Sequence, residues 1–364
     1  MTQATIFLSD DLLMQLEISR WNRLSKHQQV ALAQSLTAQL NASGHSMNKP
    51  RLEQHGPNQT VLVWQNEPTQ LDFALIPGGT FAPGYADEQL SNYRHICQLI
   101  EQGWHDAIVR MTKPGKGSLD FKMDAAITPS DKVQLFGSRA VCDLGRKPSV
   151  TLSPFLMCTT LVPAATPGLR LTVDLPKWQS WEKLEATHSA IRLRWPMVEP
   201  VLAHFGWDLP TSTEFEWALQ AGNPTLFYWG DKLPVSIMER LVYVEHTDQL
   251  PNADLDPGVR FEDLMTRDVE LQRLRVYPYC NRFGLASMLA CGTWCLPSTV
   301  PQDPFPLTLR GGAADCFPWQ GTNEWKHLLS AADWRIGYTT DYANWNSLRP
   351  VMRLRAPPSR STSP

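Results

Sequence analysis

The chain has 364 residues, a net charge of −3, 43% hydrophobic and 19% charged residues, which is the composition of a globular protein with a substantial core. A charge this close to zero provides no basic field for nucleic acid or a membrane surface. The sequence shows no apolar run of about 18 residues and no secretory signal in which a basic stretch precedes an apolar one. We therefore expect a cytoplasmic protein with neither nucleic acid nor membrane as a partner.

The first elements in chain order are helices. Residues 5–43 are predicted to be helical, with a capping box of the S-x-x-Q type at Ser25–Gln28 and an apolar stripe formed by Leu32, Leu36 and Leu40. A polar break containing Gly44 follows. We therefore predict an N-terminal helical segment over residues 1–55, a small appendage that docks either on the main domain or on a partner.

Short strands dominate after residue 60. The predicted strands are 61–64, 71–76 and 150–160, a turn is expected at Pro77-Gly78-Gly79, and the predicted helices are 88–111 and 197–206. The 29 Pro and 14 Trp favour a loop-rich fold whose core contains many aromatic rings. The main domain is predicted over 60–355, and the Pro/Ser-rich tail over 356–364 is predicted to be disordered.

A helix is predicted within residues 209–222, and the sequence contains signals for both its start and its end. Thr211 and Glu214 form a T-x-x-E capping box, and Gly222 provides a residue that tolerates a left-handed turn. One face of this helix carries an apolar stripe of Phe215, Ala218 and Leu219.

The seven cysteines are scattered and contain no C-x-x-C pair. This spacing argues against a disulfide framework and against a zinc ribbon. Cys291-x-x-x-Cys295 is interpreted as two buried thiols, with a metal or redox pair as the alternative.

The 209–222 stretch, Leu-Pro-Thr-Ser-Thr-Glu-Phe-Glu-Trp, resembles the LPTEAEWE signature of the formylglycine-generating enzyme (sulfatase-modifying factor) family. Other segments resemble the motifs of that family in the same order, namely 73–81, 150–155, 227–231, 281–289, 310–312 and 349–355. The resemblance implies an α+β fold, a loop-rich variant of the C-type lectin fold with a surface cleft.

The chain departs from the family at its metal ligands. Cys291 and Trp294 stand where the family's calcium-binding Asn and Glu are expected, and because calcium prefers oxygen ligands, we predict that this calcium site is lost. Cys316 matches one of the two copper-binding cysteines of the family, but the second position falls on Gly321. Copper is therefore expected only if another thiol approaches Cys316, the candidates being Cys295, Cys291 and Cys280.

The candidate site is a surface between the 310–319 loop and the 334–345 segment. The 334–345 segment is rich in aromatic residues and contains an Arg, and side chains of these types dominate binding hot spots. Core packing is the alternative interpretation of the same segment. The candidate ligand-binding residues are Arg310, Asp315, Trp319, Trp334, Arg335 and Trp345.

Three functions remain open from the sequence. The leading hypothesis is a catalytically altered family member that acts as a binding or accessory module for a peptide, a protein or a small ligand. The alternative is a copper- or iron-dependent oxidase acting on a thiol or a peptidyl-cysteine through Cys316 as catalytic residue and metal ligand. The third is a structural subunit held in an assembly by its N-terminal helices.

Overall fold

The computed structural model describes residues 5–54, 60–92, 144–173, 181–182, 190–222, 225–226, 281–285, 292–297, 307–311, 334–336 and 346–357, and these residues form a mixed fold of helices and three β-sheets. The predicted α+β class is confirmed. Within these ranges no helix combines the length and the apolar character that a membrane crossing requires.

The N-terminal segment begins with a strand and continues as three helices, β1 (Thr5–Phe7), α1 (Asp10–Gln15), α2 (Ile18–Trp21) and α3 (Lys26–Ala42). The predicted capping box at the start of α3 is confirmed: the Ser25 N–H donates to Gln28 Oε1 at 2.8 Å, and the Gln28 N–H donates to Ser25 Oγ at 3.3 Å. The helical prediction is wrong for residues 5–7, because their backbone groups pair with a strand at the far end of the sequence.

The next strands along the chain are β2 (Arg51–Gln54), β3 (Thr60–Gln65), β4 (Asp72–Ile76), β5 (Gly79–Phe81), β6 (Val150–Leu152) and β7 (Phe155–Cys158). The predicted strand over 150–160 is thus two strands, because Pro154 interrupts the pairing. β5 and β6 form a small sheet of their own. Of the predicted helix 88–111, residues 87–92 are helical and the remainder lies outside the described residues.

After β7 the chain forms β8 (Arg192–Leu193) and then two helices, α4 (Trp195–Phe205) and α5 (Ser212–Gln220). The helix predicted over 197–206 is confirmed as α4. The last strands are β9 (Thr293–Cys295), β10 (Leu307–Arg310), β11 (Trp334–Ile336), β12 (Asn346–Ser347) and β13 (Val351–Arg355). A six-stranded sheet has the order β1-β13-β7-β4-β3-β2, and a five-stranded sheet has the order β11-β10-β9-β12-β8.

The N-terminal segment packs into the same core as the main sheet. β1 runs parallel to β13, with Thr5 opposite Arg353, and the pairing continues where the Leu8 N–H donates to the Arg355 carbonyl at 2.8 Å. The Ile18 N–H at the start of α2 donates to the Gly78 carbonyl at 2.8 Å. Buried apolar side chains of α1 and α3 belong to one cluster with those of β3, β4 and α4, so this segment completes the core.

Candidate functional site

The ends of several strands of the five-stranded sheet lie side by side, along the edge of the sheet that runs across the strands. β10 runs antiparallel to both β9 and β11, which places its last residue, Arg310, opposite Thr293 and next to the pair formed by Leu309 and Trp334. β12 runs parallel to β9, so its first residues lie at the same edge. The first residue of the predicted 310–319 loop, the first residue of the predicted 334–345 segment and the strand that follows this segment therefore lie at the same edge.

The side chain of Arg310 is directed into the protein. Its exposed fraction is 2%; its Nε donates to Ser212 Oγ at 2.9 Å, and its Nη2 donates to Glu216 Oε2 at 3.0 Å. Both partners belong to α5. Arg310 thus joins the end of β10 to α5, and Gly311, which follows it, has a left-handed backbone with a φ of 76°. Its predicted role in ligand binding stays a prediction.

Glu216 connects three segments of the chain. It is 1% exposed, and besides Arg310 its carboxylate accepts the Gly84 N–H at 2.7 Å and the Gln220 side-chain amide at 3.2 Å. A buried carboxylate needs such donors because its removal from water is unfavourable. The Gly84 turn, α5 and the end of β10 are held together at this one carboxylate.

Substitution of Gly84 tests how rigid this junction is. Gly84 has a φ of 85°, and an added Cβ would lie 2.2 Å from the Gly145 carbonyl oxygen. Gly84→Ala therefore forces the backbone of residue 84 away from that of Gly145, at the residue whose N–H donates to Glu216. We expect the free energy of unfolding to fall by about 3 kcal/mol or more in chemical denaturation.

Gly44→Ala is the matched control for this substitution. Gly44 has nearly the same φ, 87°, but nothing lies within 4 Å of an added Cβ. We expect a loss of only about 1 kcal/mol there, from the left-handed backbone alone. Equal losses in the two variants would show that the Gly84 junction is not constrained.

Side chains fix both ends of α5, at its start those of its own capping residues and at its other end one from a distant segment. The predicted capping box is confirmed, with the Thr211 N–H donating to Glu214 Oε2 at 2.7 Å and the Glu214 N–H donating to Thr211 Oγ1 at 3.0 Å. At the other end, Asn281 Nδ2 donates to the Ala218 carbonyl at 2.6 Å. Gly222 is left-handed as predicted, at a φ of 78°, and Ala221 before it is left-handed as well, at 50°.

A buried arginine from β13 completes the start of α5. Arg353 donates to both carboxylate oxygens of Glu214 at 2.8 Å, to the Leu209 carbonyl at 2.8 Å, and to Asp208. Burial opposes the charge of Arg353, but the hydrogen bonds and charges of Glu214 and Asp208 hold its pKa above the ordinary value. Sequence reasoning did not identify this cluster; an arginine between apolar residues of a buried strand was the available signal.

Most of the other predicted site residues cannot be placed in this geometry. Asp315, Cys316, Trp319 and Trp345 lie outside the described residues. Trp334 and Arg335 are placed by their backbone, opposite Leu309 and Thr308 of β10.

The described residues give two facts about metal ligands. Trp294, at the family's calcium-ligand position, is buried and donates its indole N–H to the Leu193 carbonyl at 3.0 Å, so it offers no oxygen to a hard cation. Among the described residues, no group of three or more His, Cys, Asp or Glu side chains is arranged to hold a metal ion. Trp294 therefore does not fit the calcium site that the resemblance implies.

Two cysteines are described, and both are buried. Cys158 lies in β7 of the six-stranded sheet, where burial raises the pKa of its thiol to about 11. Cys295 lies in β9 of the five-stranded sheet, and its Sγ is 3.6 Å from the Thr293 carbonyl oxygen. A thiol with such a raised pKa stays protonated at neutral pH, which makes Cys158 a poor nucleophile and a poor metal ligand.

Comparison of the chain with models of known protein families gives no match, and comparison with curated proteins gives none either.

Proposed function

We propose that the chain is a catalytically altered member of the formylglycine-generating-enzyme-like superfamily, a loop-rich variant of the C-type lectin fold that acts as a cytoplasmic binding or accessory module. Its ligand would be a peptide, a protein or a small molecule, held at the edge where β10, β11 and β12 meet. The observation that carries the proposal is the strand register at this edge.

Three features support a binding surface there. Trp334 pairs with Leu309, the neighbour of Arg310, and Asn346, the residue after Trp345, begins a strand at the same edge. Strands lie about 4.8 Å apart, so β11 and β12, separated by two strands, are about 14 Å apart, a span suited to a short peptide or a small ligand. The ion pair between Arg310 and Glu216 gives this edge a rigid base.

Substitution of the two tryptophans tests the proposal. Peptides selected from a random-peptide phage library against the intact protein are expected to lose binding to Trp334→Ala or Trp345→Ala, because buried aromatic anchors contribute most of the binding energy at hot spots. Binding is measured by biolayer interferometry, and thermal unfolding should show that both variants remain folded.

Phe7→Ala is the control, since Phe7 is an aromatic residue with 52% of its surface exposed and lies in the other large sheet. It should bind the selected peptides as the wild type does. Unchanged peptide binding in both tryptophan variants would contradict the proposal. A one-to-one Cu(I) complex that is lost in Cys316→Ala would instead favour the oxidase.

A further inference from the structure

Among the described strands, β1 and β2 lie at the two edges of the six-stranded sheet, and the two edges differ in composition. β2 contains the charged residues Arg51 and Glu53, and charges on an edge strand discourage its pairing with another chain. β1 consists of Thr, Ile and Phe, with neither a charged residue nor a proline. Only the β2 edge therefore has the usual protection against pairing with a further strand.

The backbone N–H and C=O groups of Thr5 and Phe7 face away from β13. In a parallel pair, the groups that bond to the neighbouring strand belong to alternate residues. The Leu8 N–H donates to the Arg355 carbonyl at 2.8 Å, so the groups of Ile6, two residues earlier, also face β13. In the part of the chain that the structure describes, the outward groups of Thr5 and Phe7 have no hydrogen-bond partner.

This edge is accessible on the side where Phe7 lies. Phe7 is 52% exposed, whereas Ile6 and Leu8 project to the opposite face and are buried in one cluster with Leu12 and Leu16 of α1. Helix α1 therefore packs under that opposite face and leaves Phe7 uncovered. Unpaired backbone groups beside an exposed aromatic side chain are what a further strand needs in order to add to a sheet.

We infer that β1 pairs antiparallel with β1 of a second copy of the chain, about a two-fold axis at Ile6. This register places Thr5 of each copy opposite Phe7 of the other. Because both residues direct an N–H and a C=O outward, the pairing forms four hydrogen bonds. The inference is independent of the proposed binding surface, which lies in the other large sheet.

The side chains at this edge suit a second copy. The two Phe7 residues lie diagonally across the strand pair, about 7–8 Å apart, which is within reach of aromatic side chains. Residues 1–9 contain no charged side chain, so the paired strands place no like charges opposite each other. A short uncharged strand with an apolar side chain is thus complementary to itself.

The small size of the contact predicts a weak and reversible dimer. Each copy contributes a three-residue strand and one exposed aromatic side chain. Stable interfaces cover roughly 800 Å² on each partner, which is far more than such a strand provides. We therefore expect a dissociation constant on the order of 10–100 µM.

Hydrogen–deuterium exchange of the unmodified protein, measured at single-residue resolution, tests the inference. The Phe7 N–H is open in the single chain and bonded in the dimer, so we expect it to exchange about fivefold more slowly at about 300 µM protein than at about 3 µM. The N–H groups of Ile6 and Leu8 face β13 in both states and provide the internal control, which should change much less.

Two variants test the same contact by sedimentation velocity over this concentration range. Thr5→Pro removes an outward N–H without removing a bond to β13, and Phe7→Lys places a charge on the edge. Each should weaken self-association by about tenfold or more and remain folded in thermal unfolding. Leu171→Lys is the matched control, since Leu171 is 85% exposed outside the sheets and should self-associate as the wild type does.

Three results would overturn the inference. The wild type could stay monomeric at the highest concentration, both edge variants could dimerise as the wild type does, or exchange of the Phe7 N–H could be independent of concentration. If the wild type is monomeric and the selected peptides lose binding to Phe7→Lys, the edge accepts a peptide and not a second copy. Failure of the dimer leaves the proposed surface at β10, β11 and β12 untouched, because that surface is tested through Trp334 and Trp345.

Discussion

Arg353→Ala is expected to lower the free energy of unfolding by about 3–5 kcal/mol, because it leaves two buried carboxylates without their cation. Arg353 is 4% exposed and joins Asp208, Glu214 and the Leu209 carbonyl. Glu214 also caps α5, so the loss should reach the helix that carries Glu216. Urea unfolding followed by circular dichroism measures the effect.

Arg51→Ala is the control for this experiment. Arg51 also bonds two carboxylates, those of Glu53 at 2.6 Å and Asp72 at 2.5 Å, but its side chain is 43% exposed. Exposed ion pairs contribute at most about 1 kcal/mol, so this variant should stay close to the wild type. If Arg353→Ala loses no more stability than Arg51→Ala, the buried cluster is not what fixes α5 to β13.

Removal of residues 1–24 is expected to abolish cooperative folding. The deletion takes away β1 at the edge of the six-stranded sheet together with α1 and α2, and with them five buried side chains, Ile6, Leu8, Leu12, Leu16 and Trp21. Loss of one large buried apolar side chain typically destabilises by about 2–5 kcal/mol, against a total stability of about 5–15 kcal/mol. Thermal unfolding followed by near-ultraviolet circular dichroism should show no sharp transition.

Point variants within β1 and its continuation separate lost packing from mere shortening of the chain. Leu8→Ala removes a side chain that is 1% exposed and should lower stability by about 2–5 kcal/mol, whereas Phe7→Ala changes an exposed neighbour and should have little effect. A truncated protein that still unfolds cooperatively near the wild-type temperature would show that the segment is dispensable.

Because the N-terminal segment is part of the core, the hypothesis of a structural subunit held by its N-terminal helices needs a test other than truncation. Truncation would remove part of the core, so a change in assembly size would not identify an interface. Val30 lies on α3 with 38% of its surface exposed. Val30→Asp alters this helix surface and leaves the core intact, and an unchanged assembly size in light scattering would argue against assembly through this face.

The features predicted correctly from the sequence are those that short-range chemistry determines. The capping boxes at Ser25 and Thr211 depend on residues three positions apart, and the stripe on α3 depends on helical spacing; Leu36 and Leu40 are indeed buried. β1 was missed because three residues carry too little periodicity, and its partner lies near residue 353.

The candidate site was predictable only in part for the same reason. The sequence indicated Arg310 as a residue with a function, but not that Glu216 and Ser212 already hold its guanidinium group. That arrangement depends on how α5 is placed against β10, which no local pattern encodes.

The parallel pairing of β1 with β13 also sets the order of events during synthesis. Thr5 leaves the ribosome well before its partner Arg353, which is made some 350 residues later. At about 5–20 residues per second, the first strand waits tens of seconds for its partner. During that time Ile6 and Leu8, which are buried in the finished fold, are exposed on the nascent chain, and this makes the N-terminal segment a natural binding target for chaperones before the sheet closes.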